Sequence, residues 1–392
     1  MSESQVVVVG GGVVGAAVSY FLSLEGVDVT LVEATAIAAG ASGHGPGFFN
    51  TFGGDFVPGA HLALGVESVR LIHEHRENLA EVADSQDWFN DKPDLTISFT
   101  DEGAARLKAL HEEAPTAFGT GIEAREWLTG EEVLKKEPLI SPEVRGGYFA
   151  ESVVQIDGLR LANLYTRAAQ KRGARLLYSP VQGLDIRGDR ATGVQLSDGT
   201  HLPCDDVVLA MGAWTPLASI WTGFPMPICS LKGQLHILKV PGVRLKHHII
   251  ERVVVMQYPN GLILLGATPD PAPGGGLKAP IDYIRPLKDS EPIPEDTEML
   301  MRVGIERFPF LKDAEIVRDL SGVRPMSPDL MPMIGRIPTY RNVFMSAGHG
   351  RKGIHLSAGT GKLIADLMLR GSTDLIDGPE TLSPARFTPA VL

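Results

Sequence analysis

The stretch "QVVVVGGGVVGAAVSYFLSLEGVDVTLVE", Gln5 to Glu33, constrains the fold more than any other part of this chain. Val6–Val9 form a β-branched run of the kind that a buried parallel strand requires. Gly10, Gly12 and Gly15 supply G-x-G-x-x-G at its end, and Val14, Val18, Phe21 and Leu22 recur at helical spacing. Gly26 closes that helix, and "VDVTLVE" reads as a second strand ending in Glu33. Each residue type has a task. Gly10 permits the tight turn. Gly12, with Val13 and Val14 behind it, lets backbone N–H groups approach a pyrophosphate at the helix N-terminus. Gly15, with Ala16 and Ala17, lets the helix lie close on the sheet. Glu33, followed by Ala34, is placed to accept from a ribose hydroxyl and argues against a 2′-phosphate there. A strand, glycines, a helix, a strand and an acid in one βαβ unit predict a dinucleotide site in an α/β fold.

Two other glycine-rich stretches fail as nucleotide sites. "GTGIEA" at Gly119–Ala124 follows "EEAPTAF", which is no strand. "GHGRKGIHLSAGTGKL" contains Gly361-Lys362, but a phosphate-binding loop needs Gly five residues before that glycine and Ser or Thr after the lysine. Leu356 and Leu363 occupy those positions. Leu356, Leu363, Ile364 and Leu367 instead predict a loop running into an amphipathic helix.

Composition narrows the class. The 392 residues suit two intimately joined domains, and 44% hydrophobic with 21% charged is an ordinary globular balance. A formal net charge of -11 repels phosphate backbones, so nucleic acid is not an expected partner. Cys204 and Cys229 stand apart, with no metal-binding spacing, and are expected to be reduced thiols. "MSESQ" carries Glu3 and no basic residue, so the following apolar run does not read as a secretory signal. No stretch approaches the roughly 20 apolar residues of a membrane span. A cytoplasmic protein without a metal site is expected.

After Glu33 the chain does not resume simple strand–helix alternation. "ATAIAAGASGHGPGFFN" holds Gly40, Ala41, Ser42, Gly43, His44, Gly45, Pro46, Gly47 and Phe48, a small-residue loop suited to close backbone approach to an extended planar ligand. Here the chain resembles the D-amino-acid oxidase superfamily of flavoproteins, and its glycine oxidase and sarcosine oxidase-like members most closely. The fingerprint, Glu33 and "GASGHGPGF" carry the resemblance first. It continues in "GARLLYSPVQGLDI", "GVQLSDGTHLPCDDVVLAMGAWT", "LKGQ", "NGLILLGAT" and "LSGVRPMSPDLMPMIG", and closes with "SAGHGRKGIHLSAGTGKLIADLM".

The resemblance implies a Rossmann-type FAD domain, discontinuous at about 1–85, 150–220 and 320–392. A second α+β substrate domain at about 86–149 and 221–319 would cover the flavin with a mostly antiparallel sheet. "LTISF", "QLHILKV", "ERVVVMQY" and "GLILLGA" are its strand-like runs, and "TPDPAPGGGLKAP" a surface excursion or active-site lid. "LRLANLYTRAAQKRGA" reads as an amphipathic helix of the FAD domain. The resemblance implies non-covalent FAD held by the fingerprint and the loop, with Val181 and Gly212 contributing. It also implies that Gly350, Arg351, Lys352, Gly353, Ile354 and His355 fold back along the flavin, where a helix N-terminus and two cations favour the reduced, negative ring. His44 is expected to pack rather than to carry a covalent flavin. His247 and His248, in "RLKHH", are expected on a solvated face.

The implied reaction is hydride transfer from the Cα of a neutral amine to flavin N5, giving an imine that hydrolyses to keto acid and amine. It needs orientation and a carboxylate anchor more than acid–base groups. Arg324 in "GVRPMSPD" matches the family's carboxylate-binding arginine; a structural pairing with Asp319 or Asp329 is the alternative. Arg351 matches a second arginine near substrate and flavin. Two departures stand out. Val254 occupies the place of a substrate-contacting tyrosine, with Tyr258 at a different position. No lysine stands at or near Leu264, where some relatives keep one to speed reaction with oxygen. A small amino acid or N-substituted amino acid is the expected substrate. Oxygen, a quinone and a protein partner remain open as acceptors. A homo- or hetero-oligomer is also open, including a role as flavin-carrying subunit.

Overall fold

The structure is a computed structural model that describes residues 5–50, 56–118, 125–251, 253–267 and 291–388. "TPDPAPGGGLKAP" and "GTGIEA" lie outside the described residues. The fold is mixed α/β and is organised by two large sheets.

The first sheet has six strands in the order Met333–Arg336, Val343–Ala347, Asp206–Leu209, Gln5–Val9, Asp28–Glu33, Arg175–Tyr178. The five from Val343–Ala347 onward pair in parallel. Both faces are covered, which is why Val6–Val9 show no alternation: all four are buried. The helix Val13–Leu24 follows the first strand and packs between the helices Gly158–Lys171 and Gly353–Leu369. The second helix is the amphipathic segment expected there, with Leu161, Ala162, Tyr165, Ala168 and Ala169 turned into the core.

The glycines of "SAGTGK" serve this packing. A Cβ on Gly361 would lie 2.8 Å from the Ala17 carbonyl and 2.6 Å from the Phe21 ring. One on Gly359 would lie 2.9 Å from Leu64. The glycine–lysine pair that imitates a phosphate loop is therefore mid-helix spacing for close helix contact, and Lys362 pairs with Asp366 one turn on.

The second sheet has eight strands in the order Glu315–Met326, Cys229–Lys239, Ile263–Ala267, Val253–Gln257, His248–Ile250, Asn90–Ser98, Gly146–Gln155, Arg125–Thr129. All its neighbours are antiparallel except His248–Ile250 with Asn90–Ser98. One face is closed by the helix Pro294–Arg307, whose Leu300 joins Phe308, Val253, Val255, Ile263 and Leu265 in a separate core. The other face turns toward the first sheet and is called the roof below. Two bridges stitch roof to loops of the first sheet, Phe48 with Gln155 and Met326 with His349. The strands Gly146–Gln155 and Glu315–Met326 run across the chain positions 150 and 320, where sequence alone suggests domain boundaries. A small three-stranded sheet spans Val181–Arg187, Arg190–Leu196 and His201–Pro203.

One sequence expectation is overturned here. His247 and His248 are not on a solvated face: they are 6% and 0% exposed. His248 begins a roof strand opposite Asp94, and His247 Nδ1 lies 3.2 Å from Glu137. The flanking Arg244 and Lys246 give the stretch its charge, but strand pairing takes the imidazoles inside. Burial holds His248 at about pKa 3, a neutral ring.

Candidate active site

A cavity of about 840 Å³ lies between the two sheets. At its first end Gly10, Gly12, Val13, Val14, Glu33 and Ala34 line the wall. The three glycines of the fingerprint differ in what fixes them. Gly10 has φ +108°, and a Cβ there would lie 2.4 Å from the Ala210 carbonyl. Gly15 does not line the cavity; its Cβ would sit 2.0 Å from the Gly10 carbonyl, so it sets the helix-to-strand approach. Gly12 has ordinary φ of -68°, and its nearest obstacle would be Ser42 Oγ at 3.4 Å. Within the described chain nothing crowds Gly12. It is the N-cap of the helix and has no side chain to cap the terminus itself. Glu33 is held in place by two backbone donors, Gly11 N at 2.7 Å and Thr35 N at 2.8 Å. Oε1 also accepts from Thr35 Oγ1 at 3.3 Å, which leaves Oε2 as the oxygen with acceptor capacity to spare.

The loop after Glu33 forms the next wall, with Ala41, Ser42, His44, Pro46, Gly47 and Phe48 all facing the cavity. Ser42 Oγ accepts from Val13 N at 3.0 Å, which ties loop to helix N-terminus. Gly47 has φ +70°, and a Cβ would lie 1.7 Å from the Ile156 carbonyl. His44 Nδ1 is 2.9 Å from the Gly40 carbonyl. A carbonyl only accepts, so Nδ1 carries the proton and, in the neutral ring, Nε2 is the lone-pair nitrogen.

Val181 and Gly212 line the same end, Gly212 with φ +54°. From the C-terminal segment come Gly350, Arg351, Lys352, Gly353, Ile354 and His355. Gly350 opens a short 3-10 turn, Gly350–Lys352, ahead of the helix Gly353–Leu369. Arg351 is exposed, and Lys352 Nζ lies 4.8 Å from the centre of the Phe56 ring. His349 and His355 are buried, bonded to Thr360 Oγ1 at 3.1 Å and the Gly65 carbonyl at 3.0 Å. Desolvation lowers both to about pKa 3, so they are neutral packing groups.

The roof supplies the other end. Arg324, half-buried, projects into the cavity, and its Nη1 donates to the Lys232 carbonyl at 3.3 Å. The structural alternatives for it are taken up elsewhere: Asp329 pairs with Arg386 at 2.7 Å, and Asp319 faces His236, Gln234 and Thr297. The guanidinium lies flat on Gly233, where a Cβ would be 2.2 Å from Nη1. Opposite Gly233 stands Gly322, where a Cβ would be 2.6 Å from His44 Cβ. This glycine pair admits Arg324 on one strand and His44 from the loop. Sequence reading misses it, because the pairing register that brings "LKGQ" opposite "SGVR" leaves no local mark.

Asn50, also missed, lines the cavity and joins its two halves. Its Oδ1 accepts from Arg125 Nη2 at 3.0 Å. Arg125 pairs with Asp94 at 3.1 Å, with side chains 2% and 0% exposed. Burial raises the Asp94 pKa and the Arg125 charge opposes it.

The FAD dependent oxidoreductase family abbreviated DAO matches residues 5–367. The chain belongs to this family. It is an FAD-dependent oxidoreductase. Among its relatives is the glycine oxidase of Geobacillus kaustophilus (strain HTA426), 27% identical over 387 residues that cover 96% of each chain. The crystal structure of glycine oxidase from Geobacillus kaustophilus superposes with a TM-score of 0.84 at 25% identity, over 98% of this chain and 100% of that one. The L-proline dehydrogenase structure from P. horikoshii gives 0.81, also at 25% identity, over 98% of each. The residues present fit the cofactor. A helix N-terminus at an uncrowded Gly12, and a fixed carboxylate at the end of the second strand, are what an adenine dinucleotide needs. Among the described residues no helix is long and apolar enough to cross a membrane, and no cluster of three potential metal ligands occurs.

Proposed function

We propose that this protein oxidises the C–N bond of a small amino acid or N-substituted amino acid, using non-covalently bound FAD. The observation that carries the reading is Arg324: a half-buried guanidinium laid on Gly233, in the same cavity as the dinucleotide fingerprint. The first sheet and its helices would form the FAD-binding part, and the roof sheet the substrate part. Bound FAD supplies the hydride acceptor for the substrate Cα–H. The chain's own residues orient and exclude. The helix terminus at Gly12–Val14 and Glu33 would hold pyrophosphate and ribose. The Arg324 fork would grip the α-carboxylate through two parallel hydrogen bonds and fix Cα against the cavity floor. Arg351 and Lys352 would bias the field at the C-terminal wall toward negative charge. Loss of the hydride would turn the neutral amine into an iminium, which water hydrolyses to keto acid and the protonated amine or ammonium.

The same geometry serves an oxidase or a dehydrogenase. Leu264, at or near the position where some family members keep a lysine, lines the cavity, and Arg351 and Lys352 are cations on the C-terminal wall that could serve oxygen chemistry. We favour oxygen as acceptor. The test is one anaerobic experiment on purified protein. Its visible spectrum should be that of a flavin, acid precipitation should release yellow FAD, and a D-, L- and N-methyl amino-acid panel should bleach it. Colour retained in the pellet would overturn non-covalent binding. A flavin that no amino acid bleaches would overturn the reaction. Readmitted air then reads the acceptor: reoxidation slower than turnover with a quinone dye would replace oxidase with dehydrogenase.

A further inference from the structure

The roof is a sheet, so cross-strand partners share a face. Leu235 pairs with Gly266, Gly266 with Val254, Val254 with Ile250, and Ile250 with Thr96. All five face the cavity. They form one continuous row, Leu235–Gly266–Val254–Ile250–Thr96, crossing five strands. Gly233, on which Arg324 lies, is two residues before Leu235 and on its face. One strand repeat, about 7 Å, therefore separates the carboxylate anchor from the row. Gly233 and Gly322 put no side chain of their own into that step, which is bordered by the Arg324 guanidinium and His44. Within the row Gly266 makes a dip between Leu235 and Val254, and a Cβ there would lie 3.3 Å from Leu235 Cβ. The row holds no hydrogen-bonding side chain before Thr96. The charged groups that also line the cavity, Arg106, Glu251 and Arg307, come from segments after Ser98, after Ile250 and at the end of the helix Pro294–Arg307.

We infer that this row is a specificity wall for an α-amino acid bearing an apolar side chain. The inference rests on Arg324 holding the α-carboxylate. With that end fixed, a side chain extending along the roof meets Leu235, the Gly266 dip, Val254 and Ile250. An apolar chain gains there by leaving water; a polar one loses hydration against a row with no hydrogen-bonding side chain before Thr96. Glycine leaves the row uncovered. A dicarboxylic amino acid finds no cation within the row for its second carboxylate.

The test uses flavin-loaded protein and carboxylates that lack the amine and so cannot react: acetate, 4-methylpentanoate and glutarate, by calorimetry. Each buried methylene should tighten binding about three- to fourfold. 4-Methylpentanoate should therefore bind at least 30-fold tighter than acetate, and glutarate no tighter than acetate. Val254→Phe should cut the 4-methylpentanoate-to-acetate ratio at least tenfold, with Gly266→Val as the second variant filling the same dip. A flat alkyl series with acetate binding that Arg324→Ala abolishes would overturn the wall and leave the anchor standing. Glutarate as the tightest ligand would overturn it in favour of the distal arginines. No binding by any of the three would overturn wall and anchor together.

Discussion

At the fingerprint end of the cavity the lining is built on glycines, a helix N-terminus, and one carboxylate fixed by two N–H donors. At the roof end the lining is side chains, selected by strand alternation and aligned by register across five strands. Backbone recognition needs particular residues at particular spacings within one short segment. Side-chain recognition on a sheet can draw each wall residue from a different strand. The first end can thus be common to many substrates, while the second can be re-lined without disturbing it. The glycines expose the difference most sharply, because some are required by the protein itself and others only by what it would bind.

The largest effect is expected where chain meets chain. Gly47→Ala combines φ +70° with a Cβ 1.7 Å from a carbonyl, both against backbone that cannot yield. It should leave no folded protein, seen as loss of a cooperative thermal transition. A folded, yellow Gly47→Ala would show that the loop is looser than described.

Next comes acid, which acts on both ends together. His248 at the roof and His349 and His355 at the dinucleotide end are each held neutral, with folded pKa about 3 against an ordinary value near 6.5. Their lowered pKa means stability that is complete above about pH 6.5 and is lost as pH falls toward 3. Each contributes a slope of about 1.4 kcal/mol per pH unit in that window. Asp94, raised by burial, works in the opposite sense, one group against three. The thermal midpoint should fall steadily from pH 7 to pH 5; a flat profile would place these imidazoles in contact with water.

Gly233→Ala should separate fold from site. The three atoms nearest its Cβ all belong to the Arg324 guanidinium, the far end of a long side chain, so the protein should fold and keep its flavin. The guanidinium must move, and kcat/KM should fall at least tenfold, about 1.4 kcal/mol or more. Unchanged kinetics would mean that the guanidinium does not act where it lies.

Gly12→Ala is the smallest. The nearest protein atom would be 3.4 Å away, so the apoprotein should be as stable as the original. FAD affinity should fall by about tenfold, roughly 1.4 kcal/mol, because the added methyl stands where backbone must approach pyrophosphate. Equal affinity would contradict a pyrophosphate at that position.

This contrast also marks what the sequence discloses. The βαβ unit is legible because strand, turn and helix signals fall within thirty residues, and the cavity gathers every cofactor candidate named from sequence except Gly15. Arg324 is legible by family likeness. Gly233, Gly322, Asn50 and, Val254 apart, the row from Leu235 to Thr96 are not, since each acquires its position from pairing between distant segments. His248 shows the same limit in reverse: its neighbours in sequence are charged, but its neighbours across the strand decide its burial.

A carboxylate held at the roof by Arg324 would bring the substrate to a flavin held by the other end. Anaerobic reduction of the bound flavin by the best substrate, followed by stopped flow in Arg324→Ala and Arg324→Lys, tests it most directly. The account predicts full flavin content in both variants. Reduction efficiency in Arg324→Ala should fall by roughly 2–5 kcal/mol, about 30- to 4,000-fold. Arg324→Lys should recover part of it, because an ammonium replaces the charge but not the fork. Reduction by Arg324→Ala at the original rate and substrate concentration would contradict the account and make Arg324 a structural residue.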